Sequence, residues 1–130
     1  MEALFMAQKE FIYTEGEFKK LNKDGEYVTV SAVQTPIDVL LTAWEEMILE
    51  LSEKEIRKYK LKEDNFNKQQ EIIKTTDFNG LYGKNNKDVR KLHVDKIMAD
   101  DFKEEKDLEF SIGYLEREIN FLKELVRAKQ

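Results

Sequence analysis

The chain has 130 residues, enough for one domain, with 41% hydrophobic and 38% charged residues and a formal net charge of −5. So large a charged fraction cannot be hidden, which favours long, water-washed helices over a sphere. The absence of cysteine excludes disulfides, thiolate metal sites and a cysteine nucleophile, and no apolar run approaches the roughly 20 residues a bilayer-spanning helix needs.

The opening stretch MEALFMAQKEF has an apolar patch too brief for a secretion signal. A soluble, intracellular protein is expected. Residues 1–34 read as a separate N-terminal β-hairpin arm, because aromatic and β-branched residues concentrate there. Asp24-Gly25 is placed as a hairpin turn. In YVTVSAV, Val28, Val30 and Ala32 alternate with Tyr27, Thr29 and Ser31, the period of a strand with one buried face. Phe11 to Tyr13 supply a third strand.

Residues 35–130 read as a helical hairpin. Thr35 is placed to cap the first helix, Pro36 suits its first position, and Asp38 suits the positive end of its dipole. Ile37, Leu41, Trp44, Ile48 and Leu51 recur at spacings of 4, 3, 4 and 3, a heptad seam. Beyond Leu51 the apolar marks thin to Ile56, Tyr59, Phe66 and Ile73. Ser52 with Glu55 has the outline of a capping box, but nothing else interrupts a helix over about 36–74, some 60 Å at about 1.5 Å per residue.

Thr, Asp, Asn and two glycines then gather in a loop over about 75–85. Asn85 or Asn86 caps a second helix over about 86–128. Its seam, Leu108, Ile112, Leu115, Ile119, Leu122 and Val126, has spacings of 4, 3, 4, 3 and 4. One strict heptad lies at the start of the first helix and the other at the end of the second, so the two meet in an antiparallel, coiled-coil-like pairing.

Phe110, Tyr114 and Phe121 fall on the opposite side of that second helix, with Leu125 bordering both faces. Three aromatics there exceed what a soluble monomer ordinarily exposes. The N-terminal arm covers them, or copies of the chain assemble through them into a homo-oligomer, and the two can coexist.

No reaction is legible. GLYGKNN lacks both the glycine spacing of a phosphate loop and the hydroxyl residue after its lysine. His93, the single histidine, has Val89, Arg90 and Ile97 on its helical face rather than paired acids. Adjacent acids such as Glu45-Glu46 and Asp100-Asp101 point about 100° apart on a helix and do not converge. No catalytic residue, metal site or cofactor is expected.

The basic segment from Gly80 to Lys96 carries Lys84, Lys87, Arg90, Lys91 and Lys96 against Asp88 and Asp95. It surrounds a helix start, whose free N–H groups favour anions. Tyr82 and Phe78 are placed to stack on a base, and Arg57, Lys58 and Lys60 add charge from the first helix. A solvated bend that balances neighbouring acids fits the same pattern.

From Leu81 onward, the Gly83-Lys84 loop with its basic flank Arg90, the segment Lys96 to Asp101 (KIMADD) and the closing amphipathic helix with Arg127 resemble small helical proteins of tailed-phage recombination and early regions. Over residues 52–128 the chain is similar to UvsY-type recombination mediators. That resemblance implies an oligomer that binds single-stranded DNA and loads a recombinase, within the cytoplasm of a bacterial host. The N-terminal hairpin and the acidic balance depart from that pattern. The resulting expectation is a non-enzymatic phage accessory protein acting on single-stranded DNA or on a DNA-processing protein of host or phage. The alternative is an inhibitor that occupies a host defence or nuclease protein with its acidic helical surface.

Overall fold

The computed structural model describes residues 8–130, so the first seven residues of the expected arm lie outside it. In chain order it contains strands β1 Phe11–Thr14, β2 Glu17–Leu21 and β3 Tyr27–Thr29, a 3-10 turn at Ala32–Gln34, and helices α1 Ile37–Thr75, α2 Phe78–Tyr82, α3 Lys87–Ile97 and α4 Ala99–Lys129. The chain is mainly α with a small N-terminal antiparallel sheet. It divides into two compact units, one running to Glu50 and including Leu115–Gln130, the other Leu51–Tyr114.

In the first unit the strands pair antiparallel in the order β1-β2-β3. Phe11 to Tyr13 do form the third strand, facing Lys20 to Phe18. Glu15 and Gly16, with φ of 54° and 76°, close the β1-β2 turn; two consecutive positive φ values match the right-handed twist of a two-residue hairpin. The expected Asp24-Gly25 turn joins β2 to β3. Asn22 Oδ1 accepts the N–H groups of Asp24 and Glu26, both at 2.9 Å, while Gly25 supplies a φ of 80°.

The strand expected to reach Ala32 stops at Thr29, and the expected phase is reversed at its start, where Tyr27 is half-buried and Val28 exposed, but kept beyond it, where Val30 and Ala32 are half-buried and Thr29 and Ser31 exposed. Two side chains explain this. The Tyr27 hydroxyl donates to the Lys9 carbonyl at 2.7 Å, fixing which face turns inward. Ser31 Oγ accepts the Val33 N–H, which begins the 3-10 turn instead of another ladder rung.

Thr35 has a different task from capping α1. It is buried, its hydroxyl donates to the Ser31 carbonyl at 3.1 Å, and its own carbonyl accepts Lys129 Nζ from the end of α4. The buried stripe of α1 here is Leu40, Ala43 and Met47, one residue out of step with the expected Leu41, Trp44 and Ile48. Apolar residues stand in adjacent pairs, Leu40-Leu41, Ala43-Trp44 and Met47-Ile48, so spacing alone does not choose between the phases. On α4, Leu115, Leu122 and Val126 are buried as expected.

In the second unit, α1 and α4 form an antiparallel pair held by a ladder of polar contacts. Lys54 Nζ donates to Ser111 Oγ, Arg57 pairs with Glu104 at 3.1 Å, Lys58 and Lys62 reach Glu109 at 3.8 and 3.1 Å, and Lys68 reaches Asp101 at 3.1 Å. From Lys54 to Lys68 on α1 the partners run from Ser111 back to Asp101 on α4, the signature of a hairpin. The face of α1 turned to α4 carries Lys54, Lys58, Leu61, Asn65 and Ile72, and it is the aliphatic stems of its lysines that cover α4. Ile56, Tyr59, Phe66 and Ile73, the apolar marks of the sequence, are exposed instead.

The second helix is interrupted once. Met98, at φ −90° and ψ 5°, separates α3 from α4 while its N–H still reaches the Val94 carbonyl. Met98 is almost fully buried with Phe78 and Val94, flanked by Ile72 and Phe102. The turn keeps its side chain in that cluster. The short helix α2 occupies part of the expected 75–85 loop, its first turn closed by Asp77 Oδ1 accepting the Gly80 N–H at 3.0 Å.

Candidate nucleic-acid interface

The basic segment folds around Asn86, a buried polar residue at the start of α3. Asn86 does not cap the helix with its side chain. Its Nδ2 donates to Asn79 Oδ1 and to the Gly83 carbonyl, both at 2.7 Å, and its Oδ1 accepts Arg90 Nε at 2.6 Å. One amide thereby joins α2, the turn after it and α3. Gly83, with φ of 80°, supplies the left-handed residue that ends α2, its N–H reaching the Asn79 carbonyl.

A second set of contacts is aromatic. The Arg90 guanidinium lies 5.1 Å from the centroid of the Phe78 ring. His93 meets Phe78 and Tyr82 edge-on at 5.4 and 5.5 Å. The Tyr82 hydroxyl and His93 Nδ1 are 2.6 Å apart. His93 therefore braces α2 against α3.

This geometry sorts the expected binding residues. Phe78 is only 5% exposed, with Arg90 over its ring, so it belongs to the core of the segment and offers no stacking surface. Arg90 is exposed yet bound to Asn86 and Phe78, and Lys91 pairs with Asp95 at 3.4 Å. Lys84, Lys87 and Lys96 are exposed and have no ion-pair partner among the described residues. Tyr82 keeps 45% of its surface in water beside them in sequence. On α1, Arg57 and Lys58 are engaged with Glu104 and Glu109, whereas Lys60 is exposed and has no ion-pair partner among the described residues.

Sequence reasoning missed Leu81, which stands exposed at 60% on α2. The helix-forming run FNGLY was hidden in a loop-like composition, so this leucine had no face to be assigned to. It also missed the brace between Tyr82 and His93, which pairs residues 11 apart through a turn.

Electrostatics elsewhere are mild. Lys62, by hydrogen bond and charge, holds the Glu109 carboxyl below its ordinary value, with smaller help from Lys58 and Lys106. Among the described residues no group of three or more His, Asp or Glu side chains is arranged to hold a metal ion, and no helix is long and apolar enough to cross a membrane. A cleft in the first unit is lined by Phe11, Ile12, Tyr13, Val39 and Thr42 together with the acids Glu10, Asp38 and Glu46, and has no histidine in its lining.

The aromatics expected to mediate assembly are exposed. In the second unit Phe110 is 69% and Tyr114 58% accessible; in the first, Phe121 is 50% accessible and Leu125 is half-buried. No protein-family model, curated protein or solved structure matches this chain.

Proposed function

We propose that the chain is a non-enzymatic, phage-type accessory protein whose basic segment binds the backbone of single-stranded DNA, with assembly through the exposed aromatics of α4. The observation that carries this reading is the set Lys84, Lys87 and Lys96, exposed and without ion-pair partners among the described residues, on a segment that Asn86 and His93 brace and that includes Tyr82. Exposed lysines outside any ion pair of the described residues attract phosphate without a pair having to be broken first, and Tyr82 offers the edge of a stacking surface. Arg90 and Lys91 add to the local field while holding the segment in shape. Phe110 and Tyr114 provide the apolar area through which copies associate, as the recombination-mediator resemblance implies.

The test is fluorescence anisotropy of a labelled oligothymidine against the full chain at about 20 mM and 200 mM salt. Binding that weakens with salt, and a slope that falls by about 0.7 for each neutralised lysine contact in Lys84→Gln and Lys87→Gln, is the expected result. No binding at the lower salt rejects the reading.

A second reading rests on Asp38, Glu45 and Glu46, exposed along the first turns of α1 and in no ion pair among the described residues. They would present acidic charge to the basic surface of a host nuclease or defence protein. Loss of oligothymidine binding together with salt-sensitive binding to a basic protein surface would favour this inhibitor over the DNA-binding protein.

A further inference from the structure

Along the outer face of α1 in the second unit, Ile56, Tyr59, Phe66 and Ile73 are exposed at 59%, 75%, 58% and 44%. Their spacings of 3, 7 and 7 place them, with Ser52, Glu63 and Gln70, on one continuous heptad stripe. A shallow groove on this stripe is lined by Ser52, Glu55, Ile56, Tyr59 and Lys60. The stripe lies away from Lys54, Lys58, Leu61 and Asn65, which face α4, so the hairpin itself leaves it open.

The charges beside the stripe say what fits it. One flank carries Glu53 and Lys60, seven residues apart; the other carries Glu55 and Lys62, also seven apart. Glu53, Glu55 and Lys60 have no ion-pair partner among the described residues, whereas Lys62 already reaches Glu109. Each flank is therefore acidic toward the N-terminus of α1 and basic one heptad later. Such a dipolar edge is complementary to itself when reversed.

We infer that two copies of the chain pair through this face of α1, antiparallel about a two-fold axis between Arg57 and Lys58. In that register Ile56 of each copy packs against Tyr59 of the other, and Glu63 meets Ser52. Glu53 then lies beside Lys60 of the second copy on one flank, and Glu55 beside Lys62 on the other. Phe66 extends the apolar contact past Ser52 of the second copy.

The neighbouring registers are worse by charge alone. Sliding one heptad step toward the C-terminus sets Lys60 against Lys60 and Lys62 against Lys62, and the opposite step sets Glu53 against Glu53 and Glu55 against Glu55. A parallel pair stacks Glu63 on Glu63 within the apolar seam. Like charges opposed in this way disfavour the wrong pairing, which is how coiled coils choose orientation. The inference concerns a different face from Phe110 and Tyr114 and does not depend on DNA binding.

Sedimentation equilibrium of the full chain over about 5–500 μM tests it. The wild-type chain is expected to dimerise, Lys60→Glu to weaken the dimer by about tenfold or more by setting Glu53 against a second acid twice, and the double variant Glu53→Lys with Lys60→Glu to restore it. Far-ultraviolet circular dichroism confirms that each variant keeps its helices. A chain that stays monomeric throughout the range overturns the inference. So does a double variant no tighter than Lys60→Glu, since only the reversed arrangement brings those two positions together. A dimer abolished by Phe110→Asp but indifferent to Lys60→Glu assigns association to α4 and equally rejects it.

Discussion

Lys129 Nζ donates to the Thr35 carbonyl at 2.7 Å, joining positions 94 residues apart in the chain. Thr35 is buried, with its N–H bonded to Ala32 and its hydroxyl to Ser31, so the lysine completes the satisfaction of that residue. Lys129→Met keeps most of the stem but leaves a buried carbonyl without its charged donor. The expected loss is about 1 kcal/mol, read as a lower urea midpoint at unchanged slope. An unchanged midpoint would show that solvent replaces the bond at no cost.

Asn86 gives a larger effect, because three hydrogen bonds converge on one buried amide. Asn86→Ala strands the Gly83 carbonyl and Asn79 Oδ1 and releases Arg90 from its anchor. A loss of about 2–3 kcal/mol is expected. Since Arg90 also lies on Phe78, the His93 ring resonances should shift in the same variant. Loss of stability with unmoved His93 signals would place the damage outside the Phe78, Tyr82 and His93 brace.

How far the sequence discloses this protein depends on which physical signal each residue carries. Pro36, the Asp24-Gly25 turn and the heptads of α4 act locally, and the elements they mark appear where expected. The phase of α1 was not legible, because apolar pairs such as Leu40-Leu41 leave two faces equally oily and only the packed partner decides. In the second unit the apolar marks of α1 pointed the wrong way, while Leu108 and Ile112 of the expected α4 seam are buried. Tyr59 and Phe66 are exposed, while Lys54 and Lys58 lie toward α4, since long aliphatic stems bury well when their heads find Ser111 and Glu109. The basic segment was visible as composition. Its division into lysines without an ion-pair partner among the described residues and an Arg90 engaged by Asn86 and Phe78 depends on packing that composition does not contain.

Glu109 ties acidity to the helix pair. Its folded pKa is lowered, first by the hydrogen bond from Lys62, then by the charges of Lys62, Lys58 and Lys106. For a depressed carboxylate the contribution to stability is present above the unfolded-state value and is lost as pH falls through the folded one. The carboxyl carbon of Glu109, followed by nuclear magnetic resonance, should titrate below an ordinary glutamate. Lys62→Met should move that midpoint upward. A midpoint that ignores Lys62→Met would assign the shift to the more distant lysines. Because Glu109 is solvent-exposed, salt should shrink the depression.

Asn65 tests the polar seam in the opposite direction. It is buried against α4, with Nδ2 donating to the Asp101 carbonyl at 3.2 Å, while its Oδ1 has no partner among the described residues. Asn65→Leu gives up one bond worth about 1 kcal/mol and removes the cost of that unmatched oxygen. It also adds apolar burial worth about 1.5–3 kcal/mol, so the variant should be more stable by about 1 kcal/mol or more once packing strain is counted. A buried asparagine in a helical seam commonly fixes register at a cost in stability. Here Lys68 with Asp101 and Lys62 with Glu109 supply register independently, so Asn65→Leu should give one set of amide resonances and a higher urea midpoint. Doubled resonances would make Asn65 the residue that chooses the register, and a lower midpoint would mean that Oδ1 is satisfied by bound water.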